Sequence, residues 1–304
     1  MTSHSSPTVT PDPEPIWVAA APVLFVLLWS TGFIGARWGL PYAEPFTFLS
    51  VRFAIASALF ALISVLSRAS WPKSFREVRD AAVVGVLMNG TYLGGVFWAI
   101  SQGTPAAITA IIVGAQPLLT AALAPTFLGE RLNRVQWAGL FVGFAGLLLV
   151  VWKGTSIGPN SGLIVTGIAL IGITLGTFYQ KRFATANNLR TASCIQQAAA
   201  SAVLAILAFT FEDRTINWTG DFIFALSWLV IVLSIGTFSL LYILINRGNV
   251  SKVSSLFYLV PPFVAVDAWL LFGDSLEPRQ IVGMIIAAAG VALVTRTRTA
   301  SAKP

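Results

Sequence analysis

At 304 residues, 56% of them hydrophobic and only 10% charged, with a mean hydropathy of +0.79, the chain is excluded from the soluble globular class, in which about 25% of residues carry charge. The net charge of +7 does not mark a nucleic-acid binder, because Lys and Arg are scattered over short polar breaks instead of gathered in a stripe. Cys194 is the only cysteine and His4 the only histidine, so an internal disulfide and a Cys/His metal cluster are ruled out and neither metal nor cofactor is expected.

In chain order, residues 1–15 carry Pro7, Asp12, Pro13, Glu14 and Pro15 without the basic start of a cleaved signal, and read as a disordered tail. Ten apolar stretches of membrane-spanning length follow, near 16–38, 45–66, 81–101, 104–128, 132–152, 161–181, 190–211, 222–246, 250–272 and 278–295. With the N-terminus inside the cell, fourteen of the nineteen basic residues fall on inner segments, from Arg68 and Lys73 to Arg298 and Lys303, against four outside: Arg37, Lys153, Arg214 and Arg279. That asymmetry places both termini in the cytoplasm and the protein in the plasma (inner) membrane, with the lipid bilayer as its first partner. Most tryptophans, among them Trp17, Trp71, Trp218 and Trp269, fall near span ends as interfacial anchors; Trp29 sits in the middle of the first span.

Pro117 and Pro261 lie inside the fourth and ninth stretches, 144 residues apart, and what surrounds them runs in parallel: Ala121, Gly129, Leu132, Gln136, Gly139 and Gly146 against Ala265, Gly273, Leu276, Gln280, Gly283 and Gly290. Phe33 and Arg37 line up less tightly with Phe178 and Arg182, and Gly90-Thr91-Tyr92 with Gly236-Thr237-Phe238, the register drifting by one or two residues as loop insertions would cause. Each copy holds an odd number of crossings, so the second faces the opposite way in the bilayer, the plan of a secondary transporter. The predicted fold is an all-α integral membrane protein of ten transmembrane helices in two inverted five-helix repeats, residues 16–155 and 156–295, with a hinge near 154–160 and cytoplasmic tails 1–15 and 296–304.

Trp29-Ser30-Thr31-Gly32-Phe33, Arg52-Phe53, and the run from Pro117 through Leu128-Gly129-Glu130-Arg131-Leu132 to Gln136, Gly139 and Gly146 resemble the EamA-type branch of the drug/metabolite transporter superfamily. The resemblance spans about residues 16 to 295 and departs in the second copy, where Gly273-Asp274 replaces Gly129-Glu130 and Pro262 follows Pro261. It implies a basket of ten helices, a central cavity lined mainly by helices 1, 3, 4, 6, 8 and 9, and export or facilitated movement of small metabolites such as amino acids. The doubled proline should distort helix 9 more than helix 4.

A proline within a helix frees a carbonyl that has to face protein, water or solute, so Pro117 and Pro261 mark the depth expected of a midplane site or, more plainly, kinks that shape the cavity. The candidate solute-binding residues at that depth are Trp29, Ser30, Asn89, Tyr92, Gln116, Thr177, Thr237 and Tyr258, with Thr174 and Ser234 beside them. An amide facing lipid would leave donors unpaired, so Asn89 and Gln116 point inward; Ser and Thr instead often bond their own helix backbone, and Tyr or Trp can simply fill core volume. As a set, these aromatics and amides suit a neutral or zwitterionic small-molecule solute with an apolar part.

Arg52 and Asp267 are the charges well inside spans, at similar depth in the outer half. Arg52 could hold a solute carboxylate or close an outer gate with Asp267; the bland alternatives are that Arg52 snorkels outward and Asp267 reaches the surface alone. The inverted counterpart of Arg52 is Gln196 or Gln197, so inner and outer gates differ in charge. Gly139, Gly143 and Gly146 with Gly283, Ala287 and Gly290 form small-residue seams that either pack the two halves or make a homodimer, the former being the simpler.

No nucleotide-binding sequence is present, and the only histidine lies in the tail, so ATP hydrolysis and intramembrane catalysis are not expected; nor is a channel, for want of a filter sequence or charged ring. Glu44 and Glu130 fall at helix ends and Asp267 off centre, which favours facilitated diffusion by rocking halves. Proton-coupled antiport through Asp267 or Glu130 is the near alternative, and a lipid-linked solute flippase the more distant one.

Overall fold

The computed structural model describes residues 16–104, 106–151, 160–184, 188–248, 250–273 and 277–296; residues 1–15 and 297–304 of the tails, 154–159 of the hinge, and Asp274 and Leu276 of the second copy lie outside them. In lipid each backbone N–H and C=O has to be satisfied within its own segment, which a continuous helix achieves. The apolar stretches accordingly form α1 (Ile16–Gly39), α2 (Pro45–Leu66), α3 (Phe75–Ser101), α4 (Ala106–Gly114 with Gln116–Leu128), α5 (Arg134–Val151) and α6 (Asn160–Phe183). Then come α7 (Leu189–Phe211), α8 (Gly220–Arg247), α9 (Val250–Ser255, Leu256–Leu259 and Val260–Phe272) and α10 (Pro278–Arg296). Among the described residues nine of these are long and apolar enough to cross a membrane, and α1, at 24 residues, is the tenth. We call the end where α1 begins and α10 finishes the near end, and the other the far end.

One boundary moves appreciably. α3 starts at Phe75, not near 81, because the polar turn before the apolar run is capped: Glu77 N–H donates to the Ser74 hydroxyl, and Lys73 N–H donates to the Glu77 carboxylate. Asp80, buried at the near end, accepts a 2.8 Å hydrogen bond from the Tyr179 hydroxyl and fixes that turn to α6.

The duplication is visible in the hydrogen bonds. Gln136 Nε2 donates to the Val294 carbonyl at 3.4 Å, and Gln280 Nε2 donates to the Val150 carbonyl, also at 3.4 Å. A β-carbon at Gly139 would stand 2.8 Å from the Gly290 oxygen, and one at Gly283 would stand 2.8 Å from the Gly146 oxygen. The small-residue faces of α5 and α10 are therefore packed on each other, backbone against backbone. α2 lies along α7 in the other long pairing across the halves. α4 and α9 both end on a glycine in the left-handed region, Gly129 at φ 69° and Gly273 at φ 70°, whose N–H turns back to the Pro125 and Trp269 carbonyls.

The register drift at the Gly-Thr pairs of α3 and α8 has a structural source. α7 has 23 residues to the 22 of α2, and α8 has 28 to the 27 of α3; the α8–α9 turn is then two residues shorter than the α3–α4 turn, which restores the 144-residue offset.

Four rods are irregular, and they pair by symmetry. α4 breaks at Ala115, one residue before Gln116-Pro117; α9 tightens into a 3-10 turn over Leu256–Leu259, just before Val260-Pro261-Pro262. The longer interruption belongs to the doubled proline. α3 and α8 instead widen into π-helical turns, Val86–Thr91 and Leu229–Thr237, each finishing on one of the Gly-Thr pairs that the repeat aligns.

Candidate functional site

The irregular segments surround an aromatic cluster at the centre of the bundle. Trp29 of α1 is 5% exposed, and its ring lies 5.2 Å from that of Phe25, 5.1 Å from Phe238 of α8 and 5.2 Å from Phe257 of α9, centroid to centroid. Such contacts hold the indole by its edges as well as its faces and leave it one orientation.

Two cavities, each of about 50 Å³, meet at Trp29, Tyr92 and Val96. The first runs between α1, α3, α4, α6 and α9, past Gln116, Val113, Ile173, Phe257 and Pro261. The second runs between α1, α2, α3 and α8, past Arg52, Phe97, Leu233 and Phe238. Together they draw on the helices that the resemblance implied and add α2 through Arg52. Val113 and Phe257 are the residues four before Pro117 and Pro261, whose rings offer them no N–H; both wall the first cavity, the Phe257 carbonyl accepting from Val260 N–H in the 3-10 turn. Each cavity has room for a few waters only, so entry of an organic solute requires the walls to part.

The candidate residues separate into two groups. Trp29, Tyr92, Gln116, Arg52 and Pro261 line the cavities, and Pro117 is buried beside Gln116. Gln116 Nε2 donates to the Ser254 hydroxyl at 3.1 Å, tying α4 to α9, while its Oε1 is buried without a partner. The rest turn elsewhere: Thr177 donates to the Ile173 carbonyl and Thr237 to the Val232 carbonyl of their own helices, Thr174 likewise to Leu170, so these hydroxyls are engaged locally. Tyr258 packs on Phe144 and against Gly143. Asn89 lies buried in the π turn of α3 near the Tyr242 hydroxyl, yet neither completes a hydrogen bond.

The gate suggested for Arg52 and Asp267 does not form. Asp267 instead accepts a 2.7 Å hydrogen bond from the Ser30 hydroxyl, joining α9 to α1, so it neither pairs with Arg52 nor stands alone. Arg52 does not snorkel: it is 3% exposed, and Nε donates to the Ser234 hydroxyl of α8 at 3.1 Å. Depth in the membrane told the heights of these charges but not the side of the helix they leave from. Phe97, Phe238 and Phe257 are cavity residues that sequence reasoning missed, since Phe at helical spacing looks the same facing lipid, core or cavity.

Polar contacts close the near end. Gln196 of α7 donates to Gln180 of α6 at 3.0 Å, and Gln180 in turn donates to Asn246 of α8 at 3.2 Å. Lys181 Nζ donates to the carbonyls of Asn246 and Gly248, while Glu130 accepts from Val250 N–H on the other side of the α8–α9 turn. The far end differs. There the α1–α2 and α7–α8 loops hold each other, Glu212 accepting from Phe46 and Thr47 N–H at 2.7 Å and Glu44 from Asp213 N–H at 2.8 Å. Beside them opens a vestibule of about 510 Å³ bordered by Pro41, Glu44, Ser101 and Asn217. Ile100 walls both this vestibule and the first cavity. Among the described residues no group of three His, Cys, Asp or Glu side chains gathers that could hold a metal ion.

A family model described as "EamA-like transporter family" matches the chain twice, over residues 16–152 and 160–296. The uncharacterized transporter YvbV of Bacillus subtilis is 25% identical over 276 residues, covering 88% of each chain. An uncharacterized inner membrane transporter of Escherichia coli, YedA, is 25% identical over 88% of this chain and 87% of its own. A protein of Salmonella typhimurium named "Probable amino-acid metabolite efflux pump" is 25% identical over 88% of this chain and 91% of its own. A solved crystal structure superposes with a TM-score of 0.78 at 18% identity, covering 92% of this chain and 97% of that one, a likeness of fold.

Proposed function

The chain belongs to the EamA-like transporter family, a multi-pass membrane protein, and from that premise we propose that it is a secondary transporter exporting a small amino-acid-like or similar neutral or zwitterionic metabolite by alternating access. The observation that carries this reading is the two-lobed central cavity beside the paired proline breaks, with a vestibule at one end and a network of polar contacts at the other. The gathering of basic residues at the near end supports a cytoplasmic near end. The names of the relatives from E. coli and Salmonella support an inner-membrane location and outward movement.

Facilitated diffusion is supported by the cavity linings, which among the described residues hold no carboxylate. A second reading, proton-coupled antiport, is favoured by the carboxylate that Asp267 presents to Ser30, since protonation there would alter the α1–α9 contact. Counterflow of an amino-acid panel in reconstituted vesicles, with and without a pH gradient, separates the two. Exchange indifferent to the gradient is expected; exchange only with the gradient supports antiport, and no exchange by any solute refutes transport of this class.

A further inference from the structure

Arg52 is a buried cation without a counter-charge. It is 3% exposed, and its guanidinium rests 5.1 Å from the centroid of its neighbour Phe53. Of its five N–H donors, Nε–H is the one engaged among the described residues, by the neutral hydroxyl of Ser234. Among the described residues it forms no ion pair, Asp267 having turned to Ser30. A lone charge in a low-dielectric interior is destabilising unless something pairs with it. A stacked ring compensates in part; an apolar side chain at the same place would have no such cost.

The surroundings point to what completes it. Arg52 walls the second cavity, and among the described residues neither cavity presents another charged side chain. The free edge of a guanidinium is a planar fork that matches a carboxylate with two parallel hydrogen bonds. One positive charge is balanced by one negative charge; a phosphate dianion would leave an excess with no second cation to meet it. The adjoining lobe, reached past Trp29 and Tyr92, is walled by Val113, Ile173 and Phe257 and suits an apolar body.

We propose that Arg52 anchors the carboxylate of the transported solute, which carries a single anionic group and an apolar portion lying in the adjoining lobe between Trp29, Tyr92 and Phe257. This rests on the transport reading and narrows it: a neutral solute is excluded, whereas an amino acid or a simple apolar carboxylic acid fits.

The test uses the full chain in detergent or nanodiscs and matched probes differing in charge: 3-phenylpropionate against 3-phenylpropionamide, L-phenylalanine against L-phenylalaninamide, and hexanoate against hexanamide. Thermal-shift titration should show the acid of at least one pair binding about tenfold or more tighter than its amide. Arg52→Gln should abolish that preference. Arg52→Lys, which keeps the charge but gives up the planar fork, should weaken the preference severalfold without abolishing it, so the test survives if the Gln variant fails to fold. Equal binding of acid and amide, a preference that persists in Arg52→Gln, or no response to any acid overturns the inference. Counterflow in vesicles keeps the two readings apart: exchange of amides with no preference for acids removes the anchor and leaves transport standing, whereas an Arg52-dependent acid preference without exchange of any solute does the reverse.

Discussion

Glu130 follows the Gly129 turn at the near end and reaches the first residues of α9. Oε1 accepts from Val250 N–H at 3.2 Å, and Oε2 lies 3.5 Å from Ser251 N and 3.4 Å from its hydroxyl. A carboxylate at a helix start meets unpaired N–H groups and the positive end of the helix dipole. The distances are long, so one charge-assisted bond of about 1 kcal/mol with a dipole contribution of about 0.5–1 kcal/mol is a fair sum. Glu130→Ala should therefore destabilise the closed near end by about 1.5–2 kcal/mol, and since about 1.4 kcal/mol is tenfold, shift the closed-to-open ratio by roughly ten- to thirtyfold. Cys194 is the only native cysteine, so Cys194→Ala with Ser254→Cys places a single thiol one turn into α9, at a position 1% exposed while the near end is shut. A membrane-impermeant maleimide applied from the near end should label it roughly ten times faster when Glu130 is Ala. Rates within about twofold of each other, in protein that still elutes as a folded species, would refute Glu130 as part of the closure.

The remaining expectations use other parts of the structure. Gly146→Leu would drive a side chain into α10, where even a β-carbon would collide with Ala287 N; a loss of about 3 kcal/mol or more and a fall in the unfolding temperature are expected, while Gly167→Ala, inside α6 with nothing within 4 Å, should leave that temperature the same or slightly higher. Trp29→Ala removes the ring shared by both cavities and should cost about 3 kcal/mol of stability together with at least about tenfold in solute affinity, read by thermal shift. Asp267→Asn keeps an acceptor for Ser30 and should leave counterflow without a pH gradient within about twofold; its loss would overturn facilitated diffusion in favour of a carboxylate-dependent cycle.

Much of the architecture was legible because the second copy repeats residues whose roles are backbone roles. Gly129 and Gly273 end helices, Gln136 and Gln280 reach across to carbonyls, and Pro117 and Pro261 interrupt rods; each signal depends on covalent geometry or on one hydrogen bond, so it survives in sequence. The site was legible in part. Trp29, Tyr92 and Gln116 reach the cavity, whereas Asn89 and Tyr258, of the same residue classes at similar depth, pack elsewhere in the bundle. Thr177 and Thr237 had a local alternative, the carbonyl a turn behind, and took it. The partners of Arg52 and Asp267 could not be read, since they depend on which helices are neighbours and on rotation about the helix axis. The π turns compound that: each widened turn shifts the phase of all that follows, so a regular wheel drawn through α3 or α8 assigns the wrong face beyond Val86 or Leu229.

The α5–α10 seam carries a mechanical consequence. With Gly143 N–H and Gly146 O set close against Gly290 and Gly283, no cushion of side chains separates the two rods, and a contact without a cushion has no slack in which to slide. The seam is a keel. In the alternating-access cycle proposed above, swinging one half bodily against the other would shear this seam, which makes the broken turns of α3, α4, α8 and α9 the candidate hinges.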